Sequence, residues 1–176
     1  MSRKERRKLA KMAAKGGTAG QSAVFPATTT ALERQFNDSV AHFQAGRLKE
    51  AEAELSEIQR RQPDIPEVLH LMALIELQTG RPEAAAGHLE KAVARQPESA
   101  DLHNLLGGAL KRAGRLEEAA LAYDKAVSLG PEQAEAHYNL GNALKELQRF
   151  DDAVPSYRRS VELEPGFADA HYNLGL

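Results

Sequence analysis

The 176-residue chain contains neither cysteine nor tryptophan. Without cysteine there can be no disulfide, thiolate metal site or cysteine nucleophile, a composition that suits a reducing compartment. No apolar run approaches the ~20 residues needed to span a bilayer, and the N-terminus lacks the apolar stretch of a secretion signal. A cytoplasmic location is therefore expected. Strand-like alternation is absent, and so are a glycine-rich phosphate loop, a nucleophile elbow and a metal-protease motif. These absences point away from an enzyme: no catalytic residue, no metal ligand set and no cofactor site can be assigned.

What the chain does have is a period. Pro63, Pro97, Pro131 and Pro165 fall every 34 residues. In the same register come Gly46-Arg47, Gly80-Arg81 and Gly114-Arg115, with Gln148-Arg149 keeping the arginine and losing the glycine, and the small residues Ala51, Ala85, Ala119 and Ala153. A period in this range marks stacked supersecondary units, because one short helical hairpin cannot bury its own apolar face and must lean on the next. Each unit reads as two amphipathic helices. Leu102, Leu105, Leu106, Ala109 and Leu110, then Leu116, Ala119, Ala120, Tyr123 and Val127, stand at helical spacings. Gly114 suits the left-handed residue that ends the first helix, and Glu117-Glu118 suit the positive dipole end of the second. Pro66 and Pro82 fit helix starts, whereas Pro155 lies inside a predicted helix, where it can cost ~3 kcal/mol.

The expected fold is all-α: a right-handed solenoid of antiparallel helix pairs, with repeats at residues 31–65, 66–99, 100–133 and 134–167 and the start of a fifth at 168–176. Ala119 and Ala153 should mark its close helix contacts. The pattern resembles the tetratricopeptide repeat, in which a Leu-Gly pair, a small residue after the turn, an aromatic four further on and a closing proline recur over 34 residues. Here the Leu-Gly pair stands at Leu106-Gly107, Leu140-Gly141 and Leu174-Gly175, and the aromatic column reads Leu55, Leu89, Tyr123 and Tyr157. The phrase Ala-His-Tyr-Asn-Leu-Gly, at 136–141 and again at 170–175, is similar to the superhelix of bacterial O-GlcNAc-transferase-like proteins.

The net charge of -2 conceals an asymmetry. Residues 1–15 hold seven Lys or Arg against Glu5 alone, so the remainder of the chain is acidic. Residues 1–30 are expected to be a basic, disordered arm and a linker rich in Gly, Ala and Thr. Clustered Lys and Arg are the chemistry that meets nucleic-acid phosphates or an anionic membrane, although no aromatic residue interleaves them in residues 1–15.

Two constellations look like chemistry and read better as architecture. His103, His137 and His171 share one repeat column, but equivalent columns lie about 8–10 Å apart, too far for ligands converging at ~2 Å on one ion; imidazoles wedged at a helix interface are the expected outcome. The pairs Glu117-Glu118 and Asp151-Asp152 recur at helix starts and read as dipole-compensating charges.

The resemblance implies that the first helices line a concave groove that takes a peptide or protein segment, so the chain is expected to be a non-catalytic interaction scaffold. Asn37, Asn139 and Asn173 occupy one column, interrupted by Leu71 and Leu105, and resemble a partial asparagine ladder able to bond a partner's backbone. Flanking columns add Phe36, His70, Asn104, Tyr138 and Tyr172; Val40, Leu74, Gly108 and Asn142; and Phe43, Leu77, Lys111 and Lys145. The candidate groove set is thus Asn37, His70, Leu74, Asn104, Lys111, Tyr138, Asn139, Asn142, Lys145, Tyr172 and Asn173. The carboxylate clamp of chaperone adaptors is not matched, since only Asn139 and Asn142 agree with it. Because the sequence stops at Leu176 within a first helix, an alternative expectation is a substrate-targeting arm whose glycosyltransferase or sulfotransferase domain lies beyond that residue. An end left uncapped there would also favour self-association.

Overall fold

The computed structural model describes residues 30–175; the expectations for residues 1–29, including the basic arm, lie outside them. The described residues form helices α1 (Thr30–Gln44), α2 (Leu48–Arg61), α3 (Pro66–Gln78), α4 (Pro82–Arg95), α5 (Ala100–Arg112), α6 (Leu116–Leu129), α7 (Ala134–Glu146), α8 (Phe150–Leu163) and α9 (Ala168–Leu174), with no strand among them. This is the all-α solenoid of helix pairs, organised as two compact units that meet in sequence at Arg95 and Gln96. In the first, α1 packs on α2, α3 on α4, and α2 on α3. In the second, α5 packs on α6, α7 on α8, α6 on α7 and α8 on α9. No described helix is long and apolar enough to cross a membrane.

The helices stop where local chemistry stops them. Gly114 takes φ +82°, its N–H reaches the Lys111 carbonyl, and Arg115 N–H reaches back to the Leu110 carbonyl. This paired closure satisfies carbonyls that a helix end otherwise leaves bare. It recurs at Gly46, whose N–H meets the Phe43 carbonyl while Arg47 meets that of His42. Gln148 repeats it without glycine, at φ +59°, with Gln148 N–H on Lys145 and Arg149 N–H on Leu144. Stacking thus imposes on a glutamine a backbone that glycine adopts without strain. In the third and fourth repeats the arginine that follows the turn caps the second helix and pairs onward, Arg115 with Glu118 and Arg149 with Asp152, the latter at 2.7 Å, whereas Arg47 turns back to His42 and Arg81 to Glu52. As expected, Pro66 and Pro82 open α3 and α4. Helix α8 runs through Pro155, which is exposed; the missing N–H forgoes one intrahelical bond, to the Asp151 carbonyl.

The core of each hairpin follows one rule of volume. Gly107 and Gly141 stand opposite Tyr123 and Tyr157, sixteen positions on, and in the first two repeats the same positions hold Ser39 with Leu55 and Ala73 with Leu89, all buried. Where the partner is leucine the small residue keeps a side chain; where it is tyrosine it has none. A Cβ at Gly107 would meet the Tyr123 ring at 2.7 Å, and one at Gly141 would meet the Tyr157 ring at 2.7 Å. Both tyrosines are almost wholly buried, at 3% and 2% exposure. Ala119 and Ala153 are buried, at 0% and 2% exposure. In the first unit the buried carboxylate of Glu76 is held by His88, with Nδ1 2.8 Å from Oε2.

The histidine column has the structural role expected, with a specific partner. His103, His137 and His171 each point Nε2 at the carbonyl of the proline six residues earlier, Pro97, Pro131 and Pro165, at 2.9, 3.0 and 2.9 Å. The carbonyl can only accept, so Nε2 carries the proton. Each imidazole ties the turn between repeats to the helix that follows it. No group of three His, Cys, Asp or Glu among the described residues is placed to hold a metal.

Candidate functional site

In the second unit the first helices α5, α7 and α9 bring the polar candidates together. Asn139 Nδ2 donates to Asn104 Oδ1 at 3.0 Å, joining α7 to α5. Asn173 Nδ2 donates to Asn142 Oδ1 at 3.1 Å, joining α9 to α7. The same Asn142 oxygen accepts from the Tyr157 hydroxyl at 2.8 Å, and Lys145 Nζ donates to Asn173 Oδ1 at 2.9 Å. Lys111 Nζ lies 2.7 Å from Glu146 Oε1, linking the last turns of α5 and α7. Tyr138 packs its ring 4.7 Å from Phe167 and 6.0 Å from Tyr157, centroid to centroid, in tilted geometry. Tyr172 stands 83% exposed.

These bonds run across the repeat columns. The single column containing Asn139 and Asn173 does not bond along itself; each asparagine reaches diagonally into a neighbouring column, to Asn104 and to Asn142. The result is two fixed amide pairs, one joining α7 to α5 and one joining α9 to α7. Asn139 and Asn173 each use one amide proton in its pair, so each keeps a second N–H, and the Asn139 carbonyl oxygen stays available as well.

In the first unit the candidates are dispersed. Asn37 is exposed on α1 and His70 half-buried on α3, whereas Leu74 is 2% exposed and belongs to the core between α3 and its neighbours. Placing Leu74 in a groove is therefore corrected: its apolar stripe is packed, as is that of Phe43 at 1%. In the second unit Asn104 is itself only 9% exposed and acts through Asn139.

Electrostatics grade across the face. Asp101, Glu135 and Asp169 occupy the first turns of α5, α7 and α9, while Lys111 and Lys145 occupy the last turns of α5 and α7. Each sign opposes the dipole of the helix end it sits on. Burial pushes the Tyr157 phenol up to about 12, with Tyr138 and Glu146 adding to the effect. Burial likewise raises Tyr123, helped by Glu146 and Glu135. Both hydroxyls are therefore protonated donors throughout the neutral range.

Sequence reasoning missed the Tyr157–Asn142 bond and what its counterpart lacks in the preceding repeat. Gly108 and Asn142 were visible as one column and Tyr123 and Tyr157 as another, but their contact depends on how two helices face each other.

Two tetratricopeptide repeat family models match the chain, at residues 70–134 and 134–167, together more than half its length. The chain belongs to the tetratricopeptide repeat family. Among solved structures, MamA is similar at 24% identity over 78% of this chain and 80% of that one, with a TM-score of 0.75. A MamA from Desulfovibrio magneticus RS-1, residue 41 to its end, is similar at 21% identity over 94% and 96%, with a TM-score of 0.73. YrrB, described as a TPR protein with an unusual peptide-binding site, is similar at 24% identity over 87% and 82%, with a TM-score of 0.74. At these identities the likeness is one of fold. No curated protein gave a significant match.

Proposed function

We propose that the chain is a non-catalytic interaction scaffold that holds an extended segment of a partner protein across α5, α7 and α9. The observation that carries this reading is the two bonded amide pairs, Asn139 with Asn104 and Asn173 with Asn142, which fix donors and acceptors on adjacent helices before any ligand arrives. A preorganised surface loses little side-chain entropy on binding, and amides that both donate and accept suit a peptide backbone, whatever its sequence. Exposed Tyr172 offers flat contact area beside the pairs, and Lys145 adds a cationic edge. Membership of a repeat family whose units present such faces supports the reading.

The test uses linear peptides selected from a random displayed library on the full chain. Replacing Asn139 and Asn173 together by Ala removes two partner bonds, each worth about 0.5–1.5 kcal/mol, and should weaken a selected peptide about 5–150-fold by fluorescence anisotropy with helicity unchanged. Unchanged affinity would remove the reading. Loss of binding only on deleting residues 1–15 would move the site to the basic arm.

A further inference from the structure

Two adjacent glycines in α5 differ in what they leave room for. Gly107 is required by packing, since a Cβ there would lie 2.7 Å from the Tyr123 ring. Gly108 is not: a Cβ there would lie 3.6 Å from the Tyr123 hydroxyl, an ordinary contact. Glycine inside a helix is unfavourable relative to residues with a side chain, so the core gives no reason for it at 108. The following repeat shows what the space accommodates. There the equivalent residue is Asn142, whose amide oxygen accepts from Tyr157 at 2.8 Å and from Asn173 at 3.1 Å. At Gly108 the chain supplies no such oxygen. Among the described residues the Tyr123 hydroxyl makes no hydrogen bond, and Asn139, the counterpart of Asn173, turns to Asn104 instead.

The geometry points to a subsite at Gly108 that takes the carboxamide of an asparagine or glutamine side chain from the bound segment. Its oxygen accepts from the Tyr123 hydroxyl and from the second amide proton of Asn139, reproducing from outside the arrangement that Asn142 makes within the chain. The inference rests on the groove reading and adds a side-chain preference to it. A carboxylate suits the place less well, because the Glu146 and Glu135 carboxylates already act on the Tyr123 phenol and Lys111, the cation three residues further along α5, is paired with Glu146.

The test compares peptides selected on the full chain from a random linear library. Wild-type selections should enrich Asn or Gln at one position. Tyr123→Phe keeps the ring against Gly107 and removes only the hydroxyl; it should weaken an enriched peptide about 3–10-fold. Gly108→Asn places the chain's own carboxamide in the subsite and should weaken it at least 10-fold. Changing the enriched Asn or Gln to Leu should cost affinity on the wild type and little on Tyr123→Phe. Circular dichroism checks that both variants fold, and Tyr123→Phe suffices if Gly108→Asn does not. Peptides that depend on Asn139 and Asn173 but show no Asn or Gln preference, or bind Tyr123→Phe as tightly as wild type, would overturn the subsite and leave the groove. Peptides indifferent to Asn139 and Asn173 would overturn the groove and the subsite with it.

Discussion

Replacing Gly107 by alanine tests whether the paired columns share one volume. In an exposed helix this change would stabilise by about 0.5–1 kcal/mol. Here the new Cβ would stand 2.7, 2.7 and 2.9 Å from three atoms of the Tyr123 ring edge, and Tyr123 is 3% exposed with little room to retreat. Overpacking of this kind costs about 1–3 kcal/mol, which outweighs the helix gain, so Gly107→Ala should lower stability. Tyr123→Leu alone should also destabilise, by on the order of 2 kcal/mol, through the cavity it leaves. Together the two changes reproduce the Ala73–Leu89 pair of the second repeat, where both residues are 0% exposed. The double variant should therefore be more stable than the sum of the single changes allows, with a coupling of about 1–2 kcal/mol. At about 2–4 °C per kcal/mol for a chain of this size, that coupling is measurable as a melting-temperature difference by circular dichroism at 222 nm. A double variant that loses the full sum would show that the two columns do not compete for one space.

Pro155→Ala should restore the bond to the Asp151 carbonyl in α8 and raise stability by about 1–3 kcal/mol, read as a higher melting temperature. Ala119→Arg, at a residue 0% exposed, should overpack the core around α6 and lower it; a neutral result would contradict the register. The folded state holds the Tyr157 proton more tightly than the unfolded state, its pKa rising from 10.0 to about 12. That contribution is complete below the unfolded value and is lost as pH rises through the folded one. Alkaline titration should therefore show Tyr157 phenolate absorbance and loss of helicity only as pH approaches about 12, and in Tyr157→Phe that tyrosine signal should vanish.

Most of the architecture was legible because its causes are local. Prolines, Gly-Arg turns and acidic helix starts punctuate the chain wherever they stand, and the period repeats them. Gln148 shows where that logic extends beyond its residue type: the turn lost its glycine and kept a left-handed backbone at φ +59°. The site was less legible because it depends on facing. Leu74 stood in a groove column by count and is core by packing. Asn139 and Asn173 shared a column, yet bond diagonally to Asn104 and Asn142, since side chains on neighbouring first helices meet across an offset that counting residues does not contain. The difference between Gly107 and Gly108 likewise appears only when the Tyr123 ring and hydroxyl have positions.

Site-specific photo-crosslinking reads where the partner segment lies, which the proposal puts across the first helices of the second unit. Tyr172 on α9 and Leu121 on α6 are both strongly exposed, at 83% and 71%, so a benzophenone side chain at either place has comparable access to a bound peptide. With a library-selected peptide present, the photoreactive residue in place of Tyr172 should form a crosslink that is lost in Asn139→Ala/Asn173→Ala, and the one in place of Leu121 should form none. Crosslinking from position 121 and not from 172 would put the partner on the second helices and contradict the account.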